Sequence, residues 1–201
     1  MGFLMKLFRR KVDDRSVESE QPLWDLGRKI VLATTSCYEA TIPSVKLSDD
    51  KSRNESEGAI LFQYLFFFTH LVTREASACG WKPKEIGKLQ HFLRPRLASV
   101  TIDSIYEGVS AEQKAGMIEA LDQQFILMED DFGSSTTVFS EDSSQMLDSA
   151  SGKLAGTIST LCGYLLDQAV INRVIQQVTE QYQEMRLPQA LKEAQAALAS
   201  M

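Results

Sequence analysis

The chain has 201 residues, 44% of them apolar, and its 27 acidic and 21 basic side chains leave a net charge of −6. That length suits one good-sized hydrophobic core with flexible ends rather than two full domains. The acidic balance, with a pI near 5.0, argues against a general nucleic-acid binder, which needs a basic surface to displace counterions from phosphate.

Residues 1–21 read as a basic amphipathic segment followed by a linker. Phe3, Leu4, Leu7 and Phe8 fall on one side of a short helix, and Lys6, Arg9, Arg10 and Lys11 on the other. Such a segment can touch a membrane surface through residues 1–11 or fold back on the domain, and the second reading is preferred. The start lacks a cleavage site of small residues, so it is not a secretory signal. Position 6 is Lys where a myristoylation signal wants Ser or Thr.

The helical domain is expected over residues 22–201. Pro22 suits a first helical position, and Leu23, Leu26, Ile30, Ala33 and Cys37 step by three and four until Pro43 ends the helix. Residues 44–53 read as a polar connection, with Ser52 or Ser56 as the next N-cap.

The stretch from Gly58 to Val72, GAILFQYLFFFTHLV, is apolar on every face of a helical wheel. This pattern predicts a buried central helix over about 56–79, with Gly80 as a left-handed stop. It is too short for a bilayer and is interrupted by Gln63 and His70.

Pro83 restarts a helix whose stripe is Ile86, Leu89, Leu93, Leu97 and Val100, with a kink or break expected at Pro95. Ser110 and Gln113 form a capping box ahead of the stripe Met117, Ile118, Leu121, Phe125 and Met128. The acids Glu129, Asp130 and Asp131 then sit at the wrong end of the helix dipole. Residues 133–144 read as a mobile loop.

From Met146 an apolar stripe runs through Leu147, Ala150, Leu154, Ile158, Leu161 and Leu165, with Gly152, Gly156, Ser159 and Gly163 as a second stripe of small residues. Ile171, Ile175, Val178 and Tyr182 continue as a short heptad seam, the candidate self-association surface. One long helix and two short ones both fit this region. A last helix follows Pro188. The expected fold is therefore all-α, a single-domain helical bundle of about six or seven helices around the central one.

The search for chemistry returns no catalytic motif. Glu-x-x-His pairs, H-E-x-x-H, a P-loop and G-x-S-x-G are all absent from the sequence. His70 has no carboxylate three or four residues away, and it reads as a core histidine bonded to a neighbouring helix. Asp103 and Glu107 share a helix face but read as solvated. The cysteines Cys37, Cys79 and Cys162 are odd in number and widely spaced, which suits buried thiols in a reducing cytoplasmic setting.

Two features point to partners instead. Lys82, Lys84, Lys88, Arg94 and Arg96, opposed only by Glu85, make a basic patch in an acidic protein. The seam points to a second copy of the chain. The resulting expectation is a protein-interaction or adaptor module, not an enzyme, with no cofactor, no metal and no nucleic acid. The alternatives are an apolar-ligand pocket lined by Phe66, Phe67 and His70, and a peripheral membrane protein.

Overall fold

The computed structural model describes residues 20–47, 49–106, 108–140 and 145–199. The expected N-terminal amphipath, Glu107 and the acids Glu141 and Asp142 lie outside them. Among the described residues the protein is all-α, with seven α-helices and no strand. In chain order these are α1 (Gln21–Thr41), α2 (Asp50–Ala78), α3 (Pro83–Ile105), α4 (Ala111–Gly133), α5 (Ala150–Leu161), α6 (Gln168–Met185) and α7 (Leu187–Ala199). Short 3-10 turns at Ile42–Ser44 and Met146–Asp148 complete the set. None of the described helices is long and apolar enough to cross a membrane.

The run that is apolar all round is buried on every face over its second half, while Gly58, Ala59, Phe62 and Gln63 before it are half-buried. Every residue of α2 from Tyr64 to Val72 is buried, as a helix without a polar face must be. Its start is earlier than expected. Asp49 Oδ1 accepts the backbone N–H of Ser52 at 2.8 Å, so the N-cap is an aspartate and residues 50–53 are helical, not a connection. That hydrogen bond holds the Asp49 carboxyl below the ordinary carboxylate range. The stop is as expected: Gly80 has φ +84°, and Trp81 N and Gly80 N donate to Ala76 O and Ser77 O, closing a Schellman motif.

Residue contacts divide the chain into two compact units, and the division falls within α1, α2 and α4. The first takes described residues from Met1–Leu32, Val72–Leu127 and Arg186–Met201. In it α3 is one unbroken helix with Pro95 inside it, so of the expected kink or break the break does not occur. Tertiary packing holds what local preference opposes: Leu93, Leu97 and Ala98 are buried on either side of it. Trp24 meets Phe92 edge-on at 5.7 Å, and the Arg96 guanidinium lies 3.8 Å above the Phe92 ring. The capping box opening α4 is reciprocal, Ser110 N to Gln113 Oε1 at 3.1 Å and Gln113 N to Ser110 Oγ at 3.2 Å.

The second unit takes Ala33–Leu71 and Met128–Met185. Tyr64 is fully buried, and its hydroxyl lies 2.6 Å from Thr41 Oγ1, which donates to Gln177 Oε1 at 3.3 Å. Burial, reinforced by Glu180 and Glu184, pushes the Cys37 thiol up to about 12, and burial takes Cys162 to about 11. Both are inert core residues, as expected, whereas Cys79 is exposed at the end of α2.

The C-terminal end of α4 receives the positive charge it lacks in its own sequence. Lys153 Nζ donates to Asp131 O at 2.7 Å and to Ser134 Oγ at 2.6 Å, a cation at the negative helix pole. Of the residues after α4, Thr137 and Val138 are tied to the start of α5: Ala150 N and Ser151 N donate to Thr137 O and Val138 O, each at 3.0 Å.

Candidate interaction site

Residues 146–185 resolve into two helices, α5 and α6, and the break between them builds the most unusual surface of the second unit. Gly163 takes φ +86°. Tyr164 N donates to Ser159 O and Gly163 N to Thr160 O, the paired bonds of a Schellman stop. Four residues on, Asp167 Oδ1 accepts from Ala169 N at 2.9 Å and Val170 N at 3.2 Å, which caps α6. Stop and start signals thus sit close together, and the helical period does not carry across.

The intervening turn is fixed along its length. Ser159 Oγ accepts the Asp167 N–H at 3.0 Å. Lys46 N donates to Cys162 O at 3.0 Å, and Lys46 Nζ lies 4.1 Å from the centre of the Tyr164 ring. Leu166 is held at φ +53°, a left-handed conformation that costs a non-glycine residue about 1–2 kcal/mol.

This fixed turn presents Leu165 at 92% exposure and Leu166 at 52%. A β-carbon on Gly156 would lie 3.5 Å from Leu166 Cδ2, so Leu166 covers that glycine. At the other end of α5, Gly152 lies against the Met146 carbonyl and the Leu147 α-carbon. Leu147 is itself 49% exposed. The small residues of α5 therefore receive intramolecular neighbours, and the exposed leucines lie at the two ends of that edge. Leu147 and Leu165 were expected in the core stripe. They leave it because Leu147 belongs to the preceding 3-10 turn and Leu165 lies beyond the Gly163 stop. Gly163 followed by Asp167 is the sequence signal that would have shown this.

The other expected sites are placed as follows. The seam residues Ile171 and Val178 are buried in a single chain, with Ile175 half-buried and Tyr182 5.4 Å from Phe139. α6 packs on α5 within its own unit, so Ile171 and Val178 belong to the core of one chain, while Ile175 and Tyr182 keep part of their surface. Of the pocket residues, Phe67 meets Phe132 edge-on at 5.5 Å and His70 lies 5.7 Å from the same ring. Phe66 stacks with Phe62 at 6.2 Å. All three are buried as close-packed core. His70 Nδ1 lies 3.1 Å from Glu129 Oε1, so the expected neighbouring-helix bond exists and its partner is a carboxylate. Nε2 is buried without a hydrogen-bond partner.

The basic patch divides. At about 100° per residue, Lys84, Lys88, His91 and Arg94 share one side of α3, while Arg96 projects about 160° from Arg94. There it covers Phe92 and Trp24. Lys82, Lys84, Lys88 and His91 are exposed, and Arg94 is half-buried. Asp103, expected to be solvated, is instead paired with Lys114 Nζ at 2.6 and 2.7 Å. Comparison of the chain with protein-family models, with curated proteins and with solved structures finds no match.

Proposed function

We infer that this protein is a protein-interaction module that inserts Leu165 into an apolar pocket of a partner protein. The observation that carries the reading is a leucine 92% exposed on a turn that hydrogen bonds hold at both ends. Leaving a leucine in water forgoes about 1.5–3 kcal/mol that burial would return. Rigid mounting removes most of the ordering cost that a flexible loop would incur on binding. A few buried anchor side chains carry most of the binding energy of many interfaces. Leu166 and Leu147 supply flanking apolar area. The three unpaired cysteines support a reducing, cytoplasmic setting for this role.

A photoreactive residue placed at position 165 tests the reading, with the same probe at exposed Gln183 as control. A discrete protein adduct is expected from 165 alone, and Leu165→Ser should weaken capture of that protein about tenfold without lowering the melting temperature. Identical products from both positions would refute it.

A further inference from the structure

The first unit carries a second surface that the Leu165 reading does not use. Lys84, Gly87, Lys88, His91 and Arg94 fall within about 120° of arc on α3. Lys84, Lys88 and His91 are exposed. The acid nearest in sequence, Glu85, lies about 60° from Lys88 around the helix, just beyond this arc, and accepts from the Lys82 N–H at 2.7 Å with one oxygen and from Gln195 at 3.3 Å with the other. Its carboxyl is held below the ordinary range, first by the Lys82 N–H and then by Gln195, Lys82 and Lys88.

Two further observations give this face a shape. Gly87 sits inside the helix with nothing within 4 Å of where a β-carbon would be. A helix-interior glycine costs up to about 1 kcal/mol relative to alanine, and no close packing among the described residues requires it. It leaves a notch bordered one turn before by Lys84, one turn after by His91 and two turns after by Arg94. Arg94, half-buried, closes the notch on its far side with a cation.

We propose that the Lys84–Gly87–Lys88–His91–Arg94 face of α3 binds an acidic, extended peptide segment of another protein, its backbone lying over Gly87 and its carboxylates on the flanking cations. Carboxylates suit the site because a guanidinium takes them bidentately and lysines take them as point charges. The exposed part of the face has no apolar side chain to insert into a bilayer, which favours a peptide over a membrane surface.

The full chain is titrated by fluorescence anisotropy into a labelled peptide of alternating Glu and Ser, and into the same peptide with Gln for Glu. Binding of the Glu peptide only, weakening as salt rises, is expected. Lys84→Glu/Lys88→Glu should weaken it at least about tenfold, since it replaces attraction by repulsion at two sites. Gly87→Leu should also weaken it while keeping or raising the melting temperature, which separates loss of the notch from loss of fold. Equal binding of both peptides, or unchanged affinity in either variant, would overturn the proposal. So would sedimentation with phosphatidylserine vesicles that outcompetes the Glu peptide, or displacement of that peptide by inorganic phosphate at equal concentration.

Discussion

At Gly152 a β-carbon would fall on the Met146 carbonyl and crowd the Leu147 α-carbon, and both are backbone atoms that cannot swing aside. Gly116, inside α4, has nothing within 4 Å of the same position. Identical substitutions should therefore act in opposite directions. Gly152→Ala is expected to lower stability by about 2 kcal/mol through overpacking, and Gly116→Ala to raise it by up to about 1 kcal/mol through helix propensity. Urea unfolding of the two variants checks the pair, and a neutral Gly152→Ala would show that the turn at Met146–Asp148 is not packed as described. Neither sign is legible in the sequence, where both residues are simply glycines in helical patterns. His70 teaches the same lesson: its neighbours in sequence carry no carboxylate, and Glu129 reaches it only through the fold.

Among the elements, the break between α5 and α6 decides most. Residue periodicity alone joins Leu165 to Leu161 and hides it in a core stripe. Gly163 and Asp167 overrule that period, because a left-handed C-terminal residue and an N-cap satisfy the backbone groups that a continuous helix would otherwise pair internally. Asp167→Ala should cost about 1 kcal/mol, the usual worth of an N-cap, and should loosen the mounting of Leu165. Hydrogen exchange of the Ala169 and Val170 amides, which the Asp167 carboxylate now holds, should quicken in this variant more than that of amides in α1. Equal acceleration in both helices would mean that the cap acts on global stability alone. The signals for helix start and stop were otherwise readable. The capping box at Ser110 and the stop at Gly80 stand where residue chemistry puts them. Asp49 was missed because two serines nearby compete for the same role on composition.

For the molecule as a whole, the distribution of α6 side chains bears on self-association. Val178 is fully buried within one chain, so Val178→Ala should lower stability by about 2 kcal/mol through an internal cavity. The sedimentation coefficient of the folded protein should stay the same. A change of oligomeric state without loss of stability would restore the seam to the surface.

What the sequence by itself determined is the all-α class, the burial of the central helix on every face from Tyr64 to Val72 and most helix ends, because these follow from apolar periodicity and from backbone groups that must be satisfied locally. Only the tertiary structure decided which stripes were spent inside the chain and which remained at its surface. A stripe reports that a face must be covered, not what covers it: α6, packed on α5, buries Ile171 and Val178 within one chain, Gly152 is closed by the Met146 turn, and Arg96 turns onto Trp24 and Phe92 instead of joining its neighbouring cations. Leu165 is left over in that accounting, and its exposure is a property of the fold alone.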